Sequence, residues 1–194
     1  MQEAKRILGQ EFGATLFTIA KDVKIQVEFN PNLVGAYRLI GYENRLLDNE
    51  DFTDDTKDAG ELGAGHTVTA LYEIIPVGIS TTYLKNIPKL KYTKPLQNNY
   101  KDELCTVKFR YKKPGGKTST EITHIQKNKT LQASEDMNFA SAVALFGMKL
   151  RQSQFYNKAS IATILALAKK GRGKDAKGYR AEFIRLVESY VYLM

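Results

Sequence analysis

The hydrophobic period of this chain changes at Ser134, and that switch constrains the fold more than any single motif. Before it, Val23, Ile25, Val27 and Phe29 alternate with Lys24, Gln26 and Glu28, which predicts a half-buried strand ending at Asn30-Pro31. Leu104 to Lys112 alternates in the same way, with Val107, Phe109 and Tyr111 on one side and Lys108, Arg110 and Lys112 on the other. Further strands are predicted across Ala36 to Tyr42, across the β-branched stretch His66 to Ile75 that Pro76 and Gly78 close, and around Thr120 to Ile125. Turns and irregular loops join these segments without intervening helices. That connectivity predicts an antiparallel sandwich and disfavours a parallel sheet.

After the switch, Phe139, Val143, Phe146 and Leu150 recur at helical spacing behind Ser134, an N-cap followed by Glu135 and Asp136. Ser160 caps a second predicted helix with Ile161, Ile164, Leu165 and Ala168 on one face, and Gly171 is placed to end it. A third is predicted to start near Asp175 and to present Tyr179, Phe183, Leu186, Val187 and Tyr190. A short helix over residues 3–12 is read from Ala4, Ile7, Leu8 and Phe12. The predicted class is therefore α+β, an antiparallel β-sandwich followed by a three-helix C-terminal segment. Its divisions are 1–14, 15–133 and 134–194, the last expected to pack on the sandwich.

The 194 residues are 43% hydrophobic and 26% charged, which excludes a disordered tail or a fibrous repeat. No apolar run approaches the ~20 residues of a membrane helix, and Met1 to Arg6 lacks the apolar stretch of a signal peptide, which predicts a soluble chain. The formal charge of +8 divides into −5 over residues 1–62 and +13 over residues 63–194. A polarised chain of this kind can attract an anionic polymer or dock on another domain.

Catalytic constellations are scarce. His66 and His124 lie in or beside predicted strands with no metal-ligand spacing around them, and read as ordinary structural or surface histidines. Cys105 falls within a predicted strand as a small buried thiol. The acidic run from Asp48 to Glu61, with Lys57 opposing it, reads as an exposed loop. Asp54 to Glu61 breaks the order of a calcium-binding hand, and Gly60, Gly63 and Gly65 precede a strand where a phosphate loop would need a helix. Lys169 to Lys177, with cations flanking Gly171 and Gly173, is the best nucleic-acid lead but also reads as an interhelical linker. No cofactor is implied.

The strings Ala20–Pro31, Tyr37–Arg45 and Asp58–Glu73, with Phe139, Ala140, Ala142, Val143, Phe146-Gly147-Met148 and Gly178–Phe183, taken together resemble a known family. It is the C-terminal region of bacterial von Willebrand factor type A domain-containing proteins, a region of unassigned function. The resemblance runs from about residue 15 to 188, and the connector Gly78 to Asp102 matches least. It implies that residues 1–14 are the tail of a preceding type A domain or a linker helix. It also implies a parent at the bacterial cell envelope, exported or lipid-anchored. The type A domain's metal motif, Asp-x-Ser-x-Ser, has no counterpart in this chain. Related architectures insert the type A domain between strands of a sandwich, which implies partner strands contributed from upstream and an edge to be filled.

The expected function is that of a non-catalytic accessory and protein-interaction module, with its own upstream type A domain and flanking strands as partner, and possible contact with another envelope protein. Candidate contact residues are Asp54, Asp55 and Asp58 in the acidic loop and Lys169, Lys170, Arg172, Lys174 and Lys177 in the basic segment. The alternative is a basic module that binds nucleic acid or envelope polysaccharide. A third reading, a hydrolase or transferase, requires His66 or His124 to meet a carboxylate in a pocket.

Overall fold

The computed structural model describes residues 17–42, 46–83, 99–156 and 158–192. The chain divides into two units, residues 1–129 and residues 130–194. Strands β1 (Thr18–Phe29), β2 (Val34–Ile40), β3 (Gly60–Gly63), β4 (Leu71–Pro76), β5 (Glu103–Lys112) and β6 (Ser119–Lys127) build the first. Helices α1 (Glu135–Leu150), α2 (Ile161–Lys170) and α3 (Tyr179–Val191) build the second. The class is α+β, with all strand pairing antiparallel. The short helix expected over residues 3–12 lies outside the described residues, as does most of the Gly78 to Asp102 connector.

In the first unit a four-stranded sheet runs β3-β1-β5-β6 and a two-stranded sheet pairs β2 with β4. Asn30 and Pro31 end β1, as the pattern predicts. The buried Asn30 amide donates to Tyr100 O at 2.6 Å and Glu103 O at 2.8 Å while its oxygen accepts from Asn32 N at 3.0 Å. One side chain thereby fixes the turn into β2 and the approach to β5. The Phe29 ring meets Tyr37 of β2 at 4.6 Å and Tyr72 of β4 at 5.4 Å between centroids, so the two sheets are joined at that end.

Two readings of this unit differ from expectation. The strand expected from His66 starts at Leu71, because its partner β2 ends at Ile40, which pairs with Leu71. The acidic run is also more structured than an exposed loop. It forms a 3-10 turn over Asn49–Phe52, buries Phe52 and ends in β3, which pairs with the start of β1.

The second unit packs around Ala142, Phe146, Ile164, Ala168, Ile184 and Val187. Both predicted serine caps form, Ser134 Oγ accepting from Met137 N and Ser160 Oγ from Thr163 N, each at 3.1 Å. Helix α3 starts at Tyr179, four residues past Asp175, whose carboxylate accepts from Arg180 N and Ala181 N. A Cβ on Gly171 would lie 2.6 Å from Glu135 O and 2.8 Å from Phe139 Cα, so glycine lets the end of α2 touch the start of α1.

Candidate functional site

The alternation in β1 implies a buried apolar side and a wet charged side, and the structure partly inverts this. Lys24 is 2% exposed, whereas Ile25 is 52% exposed. The register of β1 slips between Lys21, opposite Lys112, and Lys24, opposite Arg110, with Asp22 at φ +50° inside the irregularity. Beyond it, Ile25, Phe109 and Ile122 form one cross-strand row over β1, β5 and β6, and Val27, Val107 and His124 form the next. Phe29 at the end of this face is capped by Tyr37 and Tyr72. Toward the other end the face opens, with Ile122 at 54% exposure and Phe109 half-buried.

The opposite face carries the cations, and the acidic loop covers them. Lys24 Nζ donates to Asp51 O at 2.9 Å and to Asp54 O. Arg110 donates to Asp55 Oδ1 at 3.1 Å, and Ser119 Oγ donates to the same oxygen. Lys112 reaches Asp55 O at 2.8 Å and Asp22 Oδ2 at 2.7 Å. These contacts set the charge states. The Lys112 hydrogen bond holds the Asp22 carboxyl below the usual carboxylate range, and Asp22 in turn raises Lys112. Asp55 is lowered by the Ser119 hydroxyl and by Arg110 against the opposing effect of burial.

Among the residues singled out from sequence, Asp54 is turned onto Thr56, accepting from its N at 2.8 Å and its Oγ1 at 2.7 Å, which lowers its pKa. Asp55 is engaged by the sheet as described, and Asp58 is exposed. Lys169 pairs with Glu188 at 2.9 Å. Lys170, Arg172, Lys174 and Lys177 are exposed along the turn from α2 to α3. Within that turn, Arg180 donates to Gly171 O at 2.6 Å and pairs with Asp136. His66 and His124 are both exposed. Cys105 is buried on β5, and burial pushes its thiol pKa up. Among the described residues no three of the His, Cys, Asp and Glu side chains gather closely enough to hold a metal ion, and no helix is long and apolar enough to cross a membrane.

Sequence reasoning missed the buried Lys24 and the open row it leaves opposite. The signal was Phe52, a lone aromatic in a run of carboxylates that has no reason to be there unless it buries.

The features that emerge are those of an antiparallel sheet whose apolar side is exposed at one end among the described residues, followed in the chain by a helical unit. The chain belongs to the family described as "Uncharacterized protein YfbK, C-terminal", whose model matches residues 14–193. The protein "Uncharacterized protein YfbK" of Escherichia coli (strain K12) is 43% identical over 192 residues. The match takes in 97% of this chain and 32% of that relative, so the chain spans about a third of the relative's length. No solved structure matches the chain.

Proposed function

We propose that the chain is a non-catalytic accessory and protein-interaction module that adjoins a von Willebrand factor type A domain in a bacterial cell-envelope protein. Its partner is the upstream part of the same protein, the type A domain and its flanking strands, with another envelope protein as a further contact. One observation carries this reading. The row Ile25, Phe109 and Ile122 presents large apolar side chains on a regular sheet, two of them more than half exposed, while a lysine is buried on the other side. Contiguous apolar surface of this kind marks a binding face. The length that the E. coli relative carries outside the match is consistent with an intramolecular occupant.

The acidic loop acts as an internal brace, its Asp55 side chain and its backbone carbonyls being spent on Arg110, Lys112 and Lys24. Asp58 of the loop and, in the helical unit, Lys170, Arg172, Lys174 and Lys177 are exposed and are further candidate contact residues. The charge of +13 over residues 63–194 favours a second reading, capture of an anionic polymer. The cations of β1 and β5 bonded to the acidic loop count against it.

Calorimetric titration of the chain into the upstream segment at low and high salt separates the two. Binding that survives high salt supports the module. Absence of binding, together with salt-sensitive capture of polyphosphate or polysaccharide, supports the second reading and overturns the first.

A further inference from the structure

The outer edge of β6 raises a question separate from the open face. This strand is nine residues long, it is exposed from Thr120 to Lys127, and among the described residues no strand pairs with its outer side. Edges of that length are ordinarily blunted by proline, by a bulge or by like charges that repel a second strand. Strand β6 has no proline, its one irregularity against β5 lies at the Lys127 end, and its two charged residues are of opposite sign.

Their placement is symmetric. Glu121 and Lys127 lie three residues to either side of His124, and both fall on the face of the sheet that carries Arg110. Laying two β6 strands antiparallel about a twofold axis through His124 sets Glu121 opposite Lys127 of the second copy, and the reverse. Thr123 then lies opposite Ile125. The register within each sheet extends the pattern, because Glu121 is already the partner of Arg110 and Lys127 is the partner of Glu103. Across the joined edge the row reads Arg110, Glu121, Lys127, Glu103, alternating in sign at every step. The axis generates the same row again on its other side. Cross-strand pairs of opposite charge favour a register, and like charges directly opposite oppose it. Two copies shifted by two residues in one direction set Glu121 opposite Ile125 and lose both pairs, and in the other direction they set Glu121 opposite Lys129, beyond the end of β6.

We propose that β6 is a self-association edge, and that a second copy of this chain adds its own β6 antiparallel in the register that pairs Glu121 with Lys127. The joined sheet has eight strands and twofold symmetry. The proposal rests on the outer edge of β6, apart from the apolar row that carries the proposed function.

Sedimentation equilibrium of the whole chain from low micromolar to millimolar concentration tests it, with Glu121→Lys, Lys127→Glu and the double exchange E121K/K127E. Each single reversal places like charges opposite at both symmetric positions, and is expected to weaken the dimer about tenfold or more. The double exchange re-forms both cross-copy pairs and is expected to recover part of the loss, since the own-sheet neighbours Arg110 and Glu103 then face like charges. Both side chains are exposed, Lys127 bonding Asp102 at 2.8 Å, and circular dichroism checks that each variant folds. A wild-type chain that stays monomeric at millimolar concentration overturns the proposal. So does a dimer that neither single reversal weakens, which would place the contact elsewhere. Either failure leaves the binding of the upstream segment untouched.

Discussion

Lys24 illustrates how a single side chain ties a loop to a sheet. Its ammonium is buried and satisfied by the peptide carbonyls of Asp51 and Asp54, so replacing it with methionine removes the donor from two part-buried acceptors. Leaving buried acceptors unpaired costs about 1–3 kcal/mol. We expect Lys24→Met to lower urea stability by that amount and to speed amide exchange over residues 48–59, and unchanged exchange there would contradict the bracing role. The carboxylates of the same network define its pH response. Asp22, held low by the Lys112 hydrogen bond, and Asp55, held low by Ser119 and Arg110, are more acidic folded than unfolded. Their contribution is fully present above the unfolded carboxylate value of about 3.9 and is lost as pH falls through the folded value. The unfolding midpoint should therefore drop on acidification below about pH 4, and Asp22→Asn should flatten that drop. A midpoint equally pH-dependent in wild type and variant would show that the Asp22–Lys112 pair does not matter.

At the scale of elements, the helix termini hold the most directly testable geometry. Asp175 closes the start of α3 by accepting from two backbone N–H groups, a role that commonly contributes about 1 kcal/mol. Asp175→Ala should remove that much, read by thermal or urea unfolding followed at the helical signal. Gly171→Ala should cost more, because its methyl would press on the backbone of α1 at Glu135 and Phe139, where no side chain can swing aside. A glycine at the end of a helix reads as a cap in sequence, but close approach to another helix leaves no local trace. The serine caps at Ser134 and Ser160 were legible because every atom they use lies within three residues. Strand β4 was legible in kind and not in extent. His66 to Ala70 has the same β-branched composition as the residues that follow, yet the ladder ends where β2 ends. Strand β3 and the turn at Phe52 were hidden in a run that reads as solvated, since their partners, β1 and Lys24, are remote in sequence, Lys24 lying 30 residues from Asp54 and β1 farther still from β3.

For the molecule as a whole, alternation told which residues share a face of the sheet, but the covered apolar side it implied does not hold around Lys24 and Ile25. Coverage is set by non-local pieces, the acidic loop on one side and the rings of Tyr37 and Tyr72 at one end of the other. The +13 of the later residues likewise suggested a cationic surface, whereas Arg110, Lys112 and Lys169 are bonded to acids of the same chain. The central claim is that Ile25 and Ile122 belong to a binding face and do not form the chain's own core. The double variant Ile25→Ser/Ile122→Ser tests it, with urea unfolding and calorimetric binding to the upstream segment measured on the same protein. Surface substitutions away from packed sites usually change stability by less than about 0.5 kcal/mol, so the unfolding free energy should barely move. Burying one isoleucine at an interface is worth about 1.5–3 kcal/mol, so binding should weaken at least tenfold. A variant that unfolds while its residual affinity is unchanged, or that binds as the wild type does, would contradict the account.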